Sequence, residues 1–453
     1  MTDATFDMIV ETLRKFLRRG AITHLSNMVN KMRPADLAQV IHRLATPQER
    51  RTVFELVRDV KARAAVLSES EPETISPLLS DMPPHDVVVV LRELASDDVA
   101  DILGNLPEEK AQEILHLMKA DESSDVKGLL QYPEETAGGI MTTDFVSLHE
   151  DTTVKDAIAH LQETSAKQMV FYLYVTDDAG RLVGVVSLRQ LLVVAPGTPL
   201  KKIMTADVIS VVTDMDQEEV AKIVAKYNIL AVPVVDKDNI LVGIITVDDV
   251  VDVIREEATE DILKLAGATE ADLLQMSSIR AARMRMPWLL TSLVGGLITG
   301  VFLWFFRPAI REVIALASFI PVITAMGGNV GLQTSTLMVR GLAMGRIEAA
   351  EIGAVFLKEL TVGLMMGTIC GAIVGAVAYF WHGPATLGMV VGLAMFAAIT
   401  VAAIMGTLMP IVLKKIGVDP AISSGPFVTA ANDITGLVIY LGLATLLLHQ
   451  LMS

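Results

Sequence analysis

The strongest constraint on this chain is how unevenly its charge is spread. Of 53 acidic and 37 basic residues in 453, only six and eight lie from Arg285 onward. That stretch holds five apolar segments: Pro287 to Phe306, a run within Val313–Val339, Leu357 to Trp381, Met389 to Leu413, and Ala421 to Leu448. Each is long enough for a helix that crosses a bilayer, which needs about 20 apolar residues. Residues 1–284 carry a net charge of −18 and the remainder +2. The mean hydropathy, +0.50, is high for a soluble chain. The pattern predicts an acidic, water-exposed portion followed by a multi-pass membrane domain. Such acidity argues against a nucleic-acid partner, because phosphate binding needs a basic face, and it suits a cation. The single Cys370 excludes an intramolecular disulfide and a cysteine metal cage, and reads as a small buried hydrophobe. Met1 to Leu17 is charged and amphipathic, so no cleavable signal peptide is expected.

Within the apolar part, Asp433 stands alone in Phe427-Val-Thr-Ala-Ala-Asn-Asp-Ile-Thr-Gly436. A charged side chain at membrane depth costs about 2.5–3.5 kcal/mol on insertion scales and persists where it faces water or a cation. Gly425, Thr429, Asn432 and Gly436 recur at helical spacing, so one polar stripe is expected to line a path beside Asp433. In the second segment, Gly327-Gly-Asn-Val-Gly-Leu-Gln-Thr-Ser335 places glycines and the amides of Asn329 and Gln333 inside an apolar run. Close helix approach or an unwound stretch would explain it. Oxygen donors around one carboxylate suit a hard cation such as Mg2+ or Ca2+, and Mg2+ keeps much of its water. The histidines show no metal spacing, and the methionines read as packing.

Upstream, residues to about 130 show apolar positions three and four apart, broken by Pro-bearing turns such as Met32-Arg-Pro-Ala-Asp36 and Met82-Pro-Pro-His-Asp86. Short helices with that punctuation predict a small α-solenoid. An internal repeat follows. Ile140-Met-Thr-Thr-Asp144 recurs as Ile203-Met-Thr-Ala-Asp207, and Leu182-Val-Gly-Val-Val-Ser187 as Leu241-Val-Gly-Ile-Ile-Thr246. Both copies resemble CBS domains. A charged helix from about Val247 to Ala266 then leads toward the membrane.

These marks together resemble the MgtE family of magnesium channels. The sharpest are Gly328-Asn-Val-Gly-Leu-Gln333, Gly417-Val-Asp-Pro-Ala421, Ser424-Gly-Pro-Phe427 and Asp433-Ile-Thr-Gly436. The expected fold is a multidomain membrane protein: an α-solenoid N domain (1–134), an α/β CBS pair (135–200 and 201–260), a connecting or plug helix (261–284) and a five-helix transmembrane domain (285–453). The resemblance implies a homodimer with its pore on the dimer axis and Asp433 at the ion site; no enzymatic activity is expected, because the chain shows no nucleophile–base pair, Walker loop or metal-hydrolase motif. It also implies closure by intracellular Mg2+ held between acidic domains. The acids available for sensing are Asp97, Asp98 and Asp101; Asp214, Asp216 and Glu218; Asp248, Asp249 and Asp252; Glu256, Glu257, Glu260 and Asp261; and Asp419 near the inner pore mouth. CBS pairs often bind adenine nucleotides. The second copy ends Thr246-Val-Asp-Asp249, with the acid expected for a ribose, but the first ends Ser187-Leu-Arg-Gln190, which argues against ATP there. ATP therefore stays open as a ligand of the pair.

Two rival readings remain: a nucleotide-regulated transporter of Co2+ or Mn2+, and a membrane-anchored CBS sensor that transports nothing. Basic residues Arg280, Arg283, Arg285, Arg340, Arg346, Lys414 and Lys415 fall on one side of five spans. The positive-inside bias makes that side the cytoplasm and puts the C-terminus outside; the family resemblance implies that the membrane is a bacterial inner membrane.

Overall fold

The computed structural model describes residues 3–163, 171–265, 278–343, 347, 351–423 and 425–447. Arg346, Glu348, Ser424 and residues 266–277 of the connecting segment lie outside the described residues. The chain divides into two units, Met1–Ile254 and Arg255–Ser453.

In the first unit, ten described helices, α1 to α10, run between Asp3 and Leu129. Proline opens α3 (Pro34–His42), α4 (Pro47–Glu55), α6 (Pro72–Leu79) and α7 (Pro84–Leu91). Its missing N–H falls where a helix has no internal acceptor to offer. None of these short helices could bury its apolar face alone, so they stack. α3 packs on α5 (Val60–Ser68), α5 on α7, α7 on α9 (Glu108–Leu117), α4 on α6, and α8 (Ser96–Gly104) on α10 (Ala120–Leu129). Val40, Ile41, Leu67, Leu78 and Leu91 are wholly buried between them. Lys110 reaches back and donates to the carbonyls of Leu79, Ser80 and Met82, which closes the end of α6. This is the predicted solenoid.

The repeat folds as two sheets of one plan. β1 (Ser147–His149) lies parallel to β2 (Tyr172–Thr176), which is antiparallel to β3 (Leu182–Ser187). β4 (Val211–Val212), β5 (Ala231–Val235) and β6 (Leu241–Thr246) repeat the order. The helices here are α11 (Val154–Glu163), α12 (Leu188–Val193), α13 (Gln217–Tyr227) and α14 (Val247–Leu265). The two repeated signatures explain each other. Thr142 exchanges backbone hydrogen bonds with Ile244 of the other copy, at 2.8 and 2.9 Å, and Thr205 does so with Val185, at 2.9 and 3.0 Å. Each crossing lays a methionine on a glycine, Met141 on Gly243 and Met204 on Gly184, where a Cβ would overlap the thioether. The matching hairpins turn through left-handed residues, Gly180 (φ +77°) and Asn239 (φ +63°).

The second unit holds the end of α14 and the apolar helices α15 (Ser278–Phe305), α17 (Ile320–Ala343), α18 (Ile352–His382), α19 (Ala385–Lys415) and α21 (Pro426–Leu446), with short α16 (Arg307–Glu312) and α20 (Pro420–Ser423). Among the described residues, five helices are long and apolar enough to cross a membrane, as predicted. α19 is central: it packs on α17, α18 and α21, and buries Ala394, Met395, Ala398, Ile399, Ala402 and Ala403. Glycines bring α18 and α19 into backbone contact. A Cβ at Gly371 would lie 2.6 Å from the Gly392 carbonyl oxygen. Cys370 is half-buried against this core rather than fully enclosed.

Of the two expectations for the second span's glycines, close approach holds and unwinding does not. The glycines at 327, 328 and 331 do not unwind the second span, because α17 is continuous through them. The irregular part precedes it, a 3-10 stretch over Ile314–Phe319. The glycines serve close approach instead.

Candidate cation site

Gly328 on α17 faces α21. A Cβ there would lie 3.4 Å from Thr429 Cγ2 and 3.7 Å from Asp433 Oδ1. Thr429 and Asp433, one helical turn apart, are both half-buried, so the carboxylate keeps an open side. The Thr429 hydroxyl donates to the Gly425 carbonyl at 3.1 Å, leaving its oxygen lone pairs available. Asn329 and Gln333 are exposed on α17, in line with Val322 and Leu337. An amide on the outer face of a membrane helix needs either a water-filled path or a partner, since lipid offers neither donor nor acceptor.

The expected stripe of Gly425, Thr429, Asn432 and Gly436 is corrected. Asn432 is only 2% exposed, and Gly425 and Gly436 are buried. Gly436 faces Ala398 and Ile323 in the core. Helical spacing placed these positions near one another but not on the open side. The face carrying Asp433 is set by the i, i+4 step from Thr429.

In the first unit the structure gathers four of the predicted sensing acids. Asp97 and Asp98 lie in the first turn of α8, and Asp248 and Asp249 in the first turn of α14. Burial, then Asp249 and Asp98, hold the Asp97 carboxyl well above the usual carboxylate range. Burial also raises Asp98; the Ser68 hydroxyl, donating at 2.9 Å, partly offsets this, and Asp248 and Glu69 add to it. Asp249 is pushed up to about 6, chiefly by burial, against a 2.6 Å hydrogen bond from Thr246 Oγ1. These carboxylates repel one another, and a divalent ion would turn that repulsion into attraction. Among the described residues, no three Asp, Glu, His or Cys side chains form a ready-made metal cage.

The other acids have separate places. Asp214 is exposed, Asp216 caps α13 by accepting from Glu218 N at 2.8 Å, and Glu218 pairs with Lys222 at 2.8 Å. Asp101 lies on α8; Asp252, Glu256, Glu257 and Asp261 lie on α14. Glu260 and Asp419 are already bridged: Lys264 Nζ stands 2.7 Å from Glu260 and 2.8 Å from Asp419. Burial opposes the Lys264 charge, but the hydrogen bonds and charges of Asp419 and Glu260 outweigh it and raise its pKa. Asp419 Oδ1 also accepts from Ala421 N at 2.8 Å.

Sequence reasoning missed Lys264, although its i+4 spacing from Glu260 was a signal. It also missed a hydrogen-bond cluster at the start of α8. There Ser96 N donates to Asp144 at 2.8 Å and Thr143 Oγ1 donates to Ser96 Oγ at 2.9 Å. No local pattern announced that contact. At the end of the first repeat copy, Gln190 Oε1 accepts from Ser187 N at 2.8 Å and so caps its own helix.

A solenoid, a CBS pair and five apolar spans, the last carrying Asp433 with no other charge, define a multi-pass membrane protein with a large charged portion before its spans. Comparison with known proteins agrees part by part. A family model described as divalent cation transporter, MgtE, matches residues 320–443. The MgtE intracellular N domain matches 32–135, and the CBS domain matches 137–197 and 200–256. The magnesium transporter MgtE of Bacillus subtilis is 38% identical over 327 residues, 72% of each chain. That of Thermus thermophilus is 41% identical over 328 residues, again 72% of each. The crystal structure of the cytosolic domain of the Mg2+ channel MgtE in complex with ATP aligns with a TM-score of 0.50 and 36% identity. It covers 54% of this chain and 99% of that one. The chain belongs to the MgtE family. The full-length relatives are named as transporters, not enzymes.

Proposed function

We propose that the chain forms a homodimeric channel that carries Mg2+ inward across a bacterial cytoplasmic membrane and closes when intracellular Mg2+ binds its acidic soluble domains. The observation that carries this reading is the half-buried Asp433 beside Gly328 of α17, the helix that also exposes the amides Asn329 and Gln333. A second copy meeting that face would cover the amides and bring a second carboxylate to the path. Oxygen donors with one carboxylate per chain suit an ion that keeps its water. The membrane potential favours entry by about 2.3 kcal/mol per charge per 100 mV.

The closing ions would sit among Asp97, Asp98, Asp248 and Asp249, whose repulsion favours separation until a cation intervenes. A ligand that binds only the joined arrangement shifts the population toward it. The functional parts follow the limits 1–134, 135–200, 201–260, 261–284 and 285–453, with the N-terminus cytoplasmic. ATP is the nucleotide to test on the CBS pair, since a relative's cytosolic domain was solved with it. Mg2+ uptake into proteoliposomes by wild type and Asp433→Asn, at low internal Mg2+, tests the reading. Uptake by wild type and its loss in the folded variant are expected; equal uptake by both refutes the site.

A further inference from the structure

Within the described part of the second unit, three buried side-chain polar atoms lack a hydrogen-bond partner: Asn432 Nδ2, Asn432 Oδ1 and Ser335 Oγ. Asn432 is 2% exposed and Ser335 fully buried. A bundle in lipid has no bulk water to relieve such groups, so leaving them unpaired is costly. Leucine has the same branching as asparagine and no polar atoms, and the neighbouring core is apolar. A costly group in a place that a leucine would fill calls for a functional explanation.

The surroundings supply one. Asn432 Nδ2 lies directly over Gly331 of α17, so closely that any Cβ there would collide with it. On its other side, Gly331 meets α19, where a Cβ at Gly406 would lie 2.5 Å from the Gly331 carbonyl oxygen. Three helices are thus locked at one glycine. Gly328, three residues earlier on α17, is the neighbour of Asp433. Asn432 and Asp433 are adjacent on α21, so a turn of α21 that moved one side chain would move both. The amide touches α17 at a point where only glycine fits, and this fixes the rotation of α21.

We propose that Asn432 is a positioning residue for Asp433: it touches no ion, and it holds α21 at the rotation that keeps the Asp433 carboxylate beside Gly328, so that discrimination among divalent cations depends on it. This rests on the reading of Asp433 as the cation site.

The test uses the full-length protein in proteoliposomes. It measures maximal Mg2+ uptake, half-saturating Mg2+ and the ratio of Co2+ to Mg2+ uptake, with thermal unfolding alongside. Asn432→Leu is expected to unfold at a higher temperature than wild type while its maximal Mg2+ uptake falls about tenfold, the scale of losing a supporting shell around a metal site. Its Co2+ to Mg2+ ratio should shift as well. Gly331→Ala should lower uptake and shift the ratio likewise, but unfold at a lower temperature because its methyl group collides with Asn432, and Gly331→Ala with Asn432→Ala should regain part of the loss, because the smaller side chain makes room for the new methyl group. Asn432→Leu with wild-type uptake and ratio would overturn the inference. So would a change in half-saturation alone, since that marks a direct ligand. If Asn432→Leu does not fold, the single and double Gly331 variants decide by the same readings. Asp433→Asn is the control. If it conducts normally, the cation-site reading fails; if it is dead while Asn432→Leu is normal, only the positioning role fails.

Discussion

Asp249→Asn should stabilise the first unit when no divalent ion is present. Burial pushes the Asp249 carboxyl from 3.8 to about 6 in the folded chain. At 1.36 kcal/mol per pH unit, that difference is a penalty of about 3 kcal/mol for keeping the ionised group in place. The sign follows from linkage. The folded-state pKa lies above the unfolded one, so the penalty is absent below about pH 4, grows as pH rises toward 6, and is constant above. Asp97 and Asp98 are raised as well and act in the same direction. In EDTA, wild-type stability should therefore fall between about pH 4 and pH 6. Asparagine removes the charge but weakens the hydrogen bonds from Thr246, an offset of about 1 kcal/mol.

The net gain at pH 7 is about 2 kcal/mol. For a unit of this size, each kcal/mol moves the midpoint by about 2–4 °C, so a rise of about 4–8 °C is expected. Thermal unfolding of the full-length protein, followed by circular dichroism in detergent, reads it at pH 5 and 7, in EDTA and in Mg2+. Mg2+ should stabilise wild type at pH 7 and the variant much less. A wild-type midpoint independent of pH in EDTA, or a variant less stable than wild type at pH 7, would refute the electrostatic argument.

Three further outcomes are expected. Neutralising Asp249, Asp252 and Glu260 together should leave the path open at high internal Mg2+, and unchanged closure of flux would remove the sensing role. Lys264→Gln breaks the bridge to Glu260 and Asp419, a half-exposed pair worth about 1 kcal/mol. The internal Mg2+ that half-closes the path should shift by about fivefold, and Asp419→Asn added to it should do little more; fully additive shifts would show that the pair is not coupled. Gly243→Ala places a methyl group on the Met141 thioether and should destabilise the first unit by about 1–3 kcal/mol, seen as a lower unfolding midpoint.

What the sequence announced and what it hid follow from the range of the interactions involved. The solenoid was legible because Pro34 and Pro84 act locally, each at a first helical turn. The CBS pair was legible because two glycines and two methionines recur at matched positions, although only the structure shows that each methionine crosses to the other copy's glycine. The five spans follow from apolar length alone. The carboxylate at 433 was conspicuous because nothing charged surrounds it.

The rotation of each helix was not legible. A helix such as α21 is apolar nearly all round, so its hydrophobic pattern does not say which face turns inward. Contacts with α17 and α19 decide that, and they sent Asn432 inward while leaving Asp433 half open. The same holds for the glycines of α17. A sequence cannot separate a glycine that unwinds a helix from one that admits a neighbour, because both need only a missing side chain. The structure separates them by what stands opposite: Thr429 and Asp433 at Gly328, Asn432 and Gly406 at Gly331. The small residues that looked like a break in the span are therefore the surface against which α21, the helix of Asp433, is set. A change at Gly331, which is buried, should act on ion passage through the angle of its neighbour.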